Sequence, residues 1–138
     1  MVLSEAEGWR RITRPGFPNG LGPLWARRAD SGWEYGLALV EDHANATGAV
    51  HGGVLLALAD HALSLAAWEV AGRVPCTTVQ LSAQFLRPVQ PKGVVRARGE
   101  VVRLTGGLVF MRGVLTAADA EAVAVADGVW RIQSAHAS

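Results

Sequence analysis

The chain is 138 residues long, enough for one domain with a sizeable core, and 13 Lys+Arg against 12 Asp+Glu leave a net charge of +1. Half of the residues are apolar and 18% are charged, which excludes a disordered chain; the near-neutral balance argues against nucleic-acid binding. Cys76 is the single cysteine, so an internal disulfide and a Cys-based zinc cluster are excluded, and the one lysine, Lys92, precedes Gly93 and closes no phosphate loop.

The first residues carry Glu5 and Glu7 and no apolar run, so no secretion signal is expected and a cytoplasmic protein is the default. Ser4 with Glu7 three residues on has capping-box spacing and predicts a short helix over Ser4–Arg14. Pro15, Pro18, Gly20, Gly22 and Pro23 then mark a loop. Residues 1–19 are thus read as a helix-and-loop extension of a single domain over 1–138. Leu24–Asp30 and Trp33–Glu41 predict a hairpin about Ser31-Gly32. Asp42–Val50 is small, polar and irregular. Val54–Trp68 is rich in Ala and Leu and too long for an ordinary strand, which predicts a helix. It is apolar nearly all round, so it reads as a buried central helix. Asp60 and His61 interrupt it, which argues against a membrane span.

Thr77–Leu86 alternates apolar and polar residues and predicts a strand, with Thr77, Val79, Leu81, Ala83 and Phe85 on one face. Thr78, Gln80, Ser82 and Gln84 fall on the other. Val94–Leu104 and Leu108–Ala117 predict a hairpin about Thr105-Gly106-Gly107, Ala122–Gln133 a last strand, and Ser134–Ser138 a tail. Consecutive strands with short turns and one segregated helix imply an α+β fold with an antiparallel sheet. One sheet covers only one side of an apolar helix, so a second copy of the chain is expected to cover the rest.

The chemistry concentrates between His43 and Asp60. Gly52-Gly53 opens the long helix, where unpaired N–H groups and a partial positive charge suit an oxyanion, and glycine lets a carbonyl approach the backbone. Asp60 is the only carboxylate between Asp42 and Glu69, set among Leu and Ala, where an unpaired charge costs several kcal/mol. His51 and Asp60 are nine residues apart, about 13.5 Å along a helix and on opposite faces. The helix start and Asp60 of one chain therefore cannot act on one carbonyl, and a shared site needs two chains.

Asn45-x-x-Gly48-x-x-His51-Gly52-Gly53 followed by Leu58-Ala59-Asp60 resembles the hotdog-fold acyl-CoA thioesterases of the phenylacetic-acid-degradation (PaaI-like) group. Phe85-Leu86-Arg87-Pro88 is similar to that family's strand end, and the resemblance covers roughly residues 20–133. It implies a five- to six-stranded antiparallel sheet wrapped around one helix, in a homodimer that pairs into a homotetramer. It implies hydrolysis of an aryl- or medium-chain acyl-CoA to the free acid and CoA, with no metal and no cofactor beyond the CoA of the substrate. Asp60 matches the catalytic carboxylate, as general base or nucleophile, and the Gly52 N–H matches the oxyanion donor from the partner. Asn45 matches a residue positioning the thioester or water. Thr78 matches a water-orienting Ser or Thr, with Thr77 competing for the same role.

Blander readings stand beside these. Asp60 could pair with an arginine, Gly52-Gly53 could serve only as a tight helix entry, and Asn45 could form a local turn. His51 is expected to hold the loop and bind substrate with Gly53, His61 to be an interior histidine or a substrate contact, and Ser64 to line the acyl pocket. Arg87 and Lys92 are candidates for the CoA phosphates or are solvated loop charges. His43, His51 and His61 lack the geometry of a metal set. Two other functions use the same residues: a hydratase-dehydratase acting through His61 and Asp60, and a non-catalytic acyl-CoA-binding protein.

Overall fold

The computed structural model describes residues 2–134. Residues 135–138 of the expected tail lie outside them. In chain order the elements are β1 (Arg10–Ile12), β2 (Leu24–Ala29), β3 (Gly32–Ala38), α1 (Gly52–Val70), β4 (Cys76–Phe85), β5 (Val94–Leu104), β6 (Leu108–Thr116) and β7 (Ala122–Ile132), with short 3-10 turns at Glu5–Glu7, Phe17–Leu21 and Glu41–His43. The strands form one seven-stranded sheet in the order β1-β2-β3-β5-β6-β7-β4. Every pairing is antiparallel.

Two expectations need correction here. The sheet has seven strands rather than five to six, and the N-terminal segment is not a helix. A single 3-10 turn stops at Gly8, whose left-handed φ of 85° suits glycine. Trp9 is then fully buried against the outer sheet face, the face turned away from α1. A Cβ at Gly36 would meet Leu3 and Trp9, so both side chains lie over that glycine. Arg10–Ile12 continues as an edge strand on β2. Burial of one tryptophan outweighs the weak local preference for helix, whose isolated nucleus is costly.

The single helix lies across the other face of the sheet. Its buried residues, Leu55, Leu58, Ala59, Ala62, Leu63 and Ala67, recur at helical spacing and meet Leu37, Val95, Val109, Met111, Leu115 and Trp130. The helix is long and apolar enough to cross a membrane, with a mean hydropathy of 1.3, yet it packs as the core helix of this sheet. Its far side stays open, with Leu56 and Val70 exposed. The bed is a row of small residues running directly across four strands, Gly99–Gly113–Ala126–Ala83. A Cβ built at Gly99 would fall onto Leu63 Cδ2, and one at Gly113 would come within 2.9 Å of the same atom. Gly99→Ala is therefore expected to lower unfolding free energy by about 1–3 kcal/mol in chemical denaturation, the usual cost of overpacking. An unchanged midpoint would mean that Leu63 swings away freely.

A buried carboxylate ties down the outer face. Glu34 on β3 is 0% exposed and sits directly between Arg27 on β2 and Arg98 on β5. Arg27 donates from Nε at 2.8 Å and also from Nη2, and Arg98 donates from Nε at 3.1 Å. Arg96 stands 3.6 Å away. Arg27 also stacks on the Trp9 ring and donates to the Glu7 carbonyl, clasping the N-terminal segment to the sheet. Burial pushes the Glu34 carboxyl up, but the hydrogen bonds and charges of Arg27 and Arg98 outweigh it and hold it below the ordinary glutamate value.

Candidate active site

Asp60 projects from the middle of α1, half-buried, toward β4. Thr78 Oγ1 donates to Asp60 Oδ1 at 2.6 Å. No hydrogen bond from the described residues reaches Oδ2. Thr78 faces the helix because β4 is not a regular strand. Its pairing with β7 slips between Thr78 and Gln80, so Val79 is an extra, unpaired residue. Strict alternation had put Thr78 opposite Leu81 and Ala83. The bulge instead brings Cys76, Thr78, Leu81, Ala83 and Phe85 to the helix side and leaves Val79 61% exposed. The expected face assignment of Thr77 and Thr78 is therefore reversed. Thr77 points away and accepts from Gln133 at 2.7 Å.

The helix entrance is equally specific. His51 is the N-cap, and its Nδ1 accepts the Gly53 N–H at 2.8 Å. That consumes one of the unpaired donors of the first turn. The Gly52 N–H has no such partner among the described residues and is left to donate. The His51 N–H in turn donates to the His43 carbonyl at 2.8 Å. Gly52 and Asp60 are eight residues apart, about 12 Å along the helix. One chain does not bring them together.

Asn45 belongs to the loop. Its Oδ1 accepts from Thr47 N at 2.9 Å, Thr47 Oγ1 at 2.8 Å and Ala49 N at 3.2 Å. The bland reading of Asn45 as a turn-former is therefore realised, and only its amide NH₂ is left for a ligand. His43 is buried beneath the same loop and lies outside the expected site. Its Nδ1 accepts from the Val40 N–H at 3.1 Å, which leaves Nε2 to donate to the Leu21 carbonyl at 2.6 Å. It fastens the loop to the Phe17–Leu21 turn, and a lone histidine in a polar stretch gives no sequence signal of that.

That turn forms one wall of an open groove of about 460 Å³ along α1, with Phe17 and Leu21 facing Leu56, Asp60, His61 and Ser64. Ser64 Oγ accepts the indole N–H of the fully buried Trp130 at 2.8 Å. His61 Nε2 is buried without a hydrogen-bond partner among the described residues. Burial, and then the nearby Arg14 charge, pull the His61 pKa below its ordinary value against the opposing pull of Asp60. Arg87 is exposed. It holds both oxygens of Asp119, at 2.8 and 2.9 Å. Lys92 is exposed. Among the described residues no three His, Cys, Asp or Glu side chains gather to hold a metal.

β4 is the last strand of the sheet, so one edge of its ten residues is unpaired. Val79 within it and Phe85 and Leu86 at its C-terminal end are exposed. Phe85 also packs its ring over Gly52, at 3.4 Å from where a Cβ would be. That unpaired edge is mixed, with Thr77, Gln80, Ser82 and Gln84 exposed beside Val79, and it lies next to the open side of α1.

Comparison with known proteins agrees with the fold. The model of the thioesterase superfamily matches residues 47–124. No curated protein matches the chain at a significant level. Among solved structures, the TT0310 protein of Thermus thermophilus is 28% identical over 88% of this chain and 100% of its own, with a TM-score of 0.76. A phenylacetic acid degradation-related putative thioesterase of Ralstonia eutropha JMP134 is 26% identical over 88% of this chain and 92% of its own, with a TM-score of 0.74. The PaaI protein of the E. coli phenylacetic acid degradation operon shares the fold at a TM-score of 0.68 and 16% identity, over 94% of this chain and 83% of its own.

Proposed function

This chain belongs to the thioesterase superfamily and has its hotdog fold, of the PaaI-like kind, and on that premise we propose that it hydrolyses an acyl-CoA thioester to the free acid and CoA at a site shared by two copies of the chain. The observation that carries the reading is the bond from Thr78 Oγ1 to Asp60 Oδ1, with Oδ2 left open beside the groove. Thr78 then acts as a positioning residue. It fixes the carboxylate and aims the second oxygen at the substrate.

The reaction uses that oxygen. As general base, Asp60 Oδ2 takes a proton from water, whose oxygen adds to the thioester carbon. The carbonyl electron pair moves to oxygen, where the Gly52 N–H at the helix start of the second copy donates to the oxyanion. The C–S bond then breaks, and the CoA thiolate leaves with the proton returned by Asp60. As nucleophile, Oδ2 would itself form the new C–O bond, giving an acyl anhydride that water opens. Label in Asp60 after a single turnover in H₂¹⁸O identifies the nucleophilic route, with water opening the anhydride at the Asp60 carbonyl carbon.

The second copy is supported by the unpaired edge of β4, the open side of α1 and the separation of Gly52 from Asp60. We read the protein as a homodimer, paired further into a homotetramer, in the cytoplasm. The acyl group is aryl or medium-chain and lies in the groove between Phe17 and α1. Asn45 offers its amide to the thioester, and Arg87 stands near the CoA phosphates once Asp119 shares it. The proposed chemistry draws on no metal or separate cofactor.

Thiol release from phenylacetyl-, benzoyl- and straight-chain acyl-CoAs of increasing length tests the proposal directly. Release from at least one ester, with the acid as product, is expected. Hydration of an enoyl-CoA without CoA release, or tight binding without turnover, would replace it. Thr78→Val keeps the shape and removes the hydroxyl. Hydrogen bonds to charged groups contribute about 1.5–3 kcal/mol, so kcat is expected to fall about tenfold or more while KM changes little. Full activity would remove Thr78 from the site.

A further inference from the structure

A second cavity lies apart from the groove of Asp60 and shares no lining residue with it. It opens between the first three strands and the last turns of α1, with a volume of about 140 Å³. That is close to the size that takes one benzene ring. Glu69 lines it, nine residues after Asp60 and about 900° further round, so this is the opposite flank of the helix. Trp33 and Tyr35 from β3 and Leu65 and Trp68 from α1 make its walls.

Two polar groups of the cavity lack partners. Tyr35 is only 4% exposed, yet its hydroxyl makes no hydrogen bond among the described residues. A buried tyrosine usually places that group on a partner. Trp9 Nε1, His61 Nε2 and Arg96 Nε are sealed off, but Tyr35 Oη keeps surface in the cavity. Burial, and then the Glu69 charge, raise the hydroxyl above the ordinary tyrosine value against the pull of Arg14. It therefore holds its proton at neutral pH and is ready to donate. Arg14 is exposed at the mouth and stacks on the Trp68 ring, 5.6 Å from its centroid. It has no carboxylate partner among the described residues, whereas Glu69 is taken up by Arg73 at 3.4 Å. Arg73 also stacks on Trp68, and Arg28 stacks on Trp33. Arg14, Arg28 and Arg73 against Glu69 leave the rim positive. Two donors, a positive rim and ring-sized apolar walls suit one kind of guest.

We propose that this cavity binds a small carboxylate with an aromatic or compact apolar body. The carboxylate accepts from Tyr35 Oη and the Arg14 guanidinium, and the body lies among Trp33, Leu65 and Trp68. The inference does not rest on the thioesterase reading.

Titration of benzoate, phenylacetate and isobutyrate into the full chain tests it, by calorimetry and by tryptophan fluorescence. At least one acid is expected to bind with a Kd of about 1 mM or below. Benzamide keeps the shape of benzoate without its charge and should bind about tenfold more weakly. Tyr35→Phe removes only the hydroxyl, and Arg14→Gln alters an exposed side chain, so both variants should fold. Each should weaken the acid about tenfold. Phe17→Ser, in the other groove, should leave the Kd as it is. Binding lost in Phe17→Ser and kept in the two cavity variants would put the acid beside Asp60 and overturn the assignment. A Kd unchanged in both Tyr35→Phe and Arg14→Gln, equal binding of benzamide, or no acid bound at about 10 mM would overturn it too. No turnover enters these measurements, so they stand or fall apart from thiol release.

Discussion

Asp60→Asn is expected to lower kcat by about 10²–10⁴-fold with little change in KM or in oligomeric state. The reason is local. Asparagine keeps the shape of the side chain, and its Oδ1 can still accept from Thr78. What disappears is the oxygen that accepts a proton from water or attacks the thioester, since an amide NH₂ can only donate there. Asp60→Ala should fall at least as far, and it guards against slow deamidation returning the carboxylate. Steady-state thiol release measures both, with circular dichroism and light scattering to show that the variants fold and assemble. Retention of full activity by Asp60→Asn would move the chemistry elsewhere. His61 would then be the first group to examine, as in hydration of an unsaturated thioester.

The second large effect concerns stability. Glu34→Gln is expected to destabilise the fold by about 3 kcal/mol, or about 10 °C in Tm. Breaking a buried ion pair leaves the remaining charges uncompensated. The loss falls at the lower end of the usual range because Arg27 and Arg98 keep 25% and 47% of their side-chain surface in water and can partly rehydrate. The pH dependence identifies the source. The Glu34 carboxyl is held below its ordinary value in the fold, so it contributes stability that is fully present above the unfolded pKa and is lost as pH falls through the folded one. The gap between wild type and Glu34→Gln should thus be widest near neutrality and narrow below about pH 4. A gap that stays constant down to pH 3 would trace the loss to packing and not to charge.

Much of the fold is legible in the residues because local pattern and global structure agree. The long Ala- and Leu-rich run is the helix, and Thr105-Gly106-Gly107 is a hairpin turn. The N-terminal segment is not legible, since Gly8 and Trp9 decide it through a surface that only the folded sheet provides. Strand alternation predicts Leu81, Ala83 and Phe85 correctly and then fails at Thr78. A bulge is one residue of slip, and Val79 looks in sequence like any inward-facing valine. The candidate site follows the same division. Asp60 stands out as a carboxylate in apolar surroundings, and Gly52-Gly53 as glycines at a helix start. The open Gly52 donor depends on His51 consuming its neighbour, and the anchoring of Ser64 depends on Trp130 some 66 residues away. Such pairings are products of the tertiary fold, and spacing does not reveal them.

The glycine bed under the helix bears on how the groove can move. Leu63 is seated against Gly99 and Gly113, so α1 cannot slide or rise without leaving a void behind it. The wall that carries Asp60, His61 and Ser64 is therefore the stationary one. The opposing wall is a single 3-10 turn, Phe17–Leu21, flanked by Gly16 and Gly22 at φ of 92° and 108°. It is held at one end by the bond from His43 to the Leu21 carbonyl, while Phe17 at the other end is 73% exposed. Widening to admit a bulkier acyl group thus falls to the Phe17 end of that turn, pivoting about Leu21. The Asp60 carboxylate stays in place as that turn shifts.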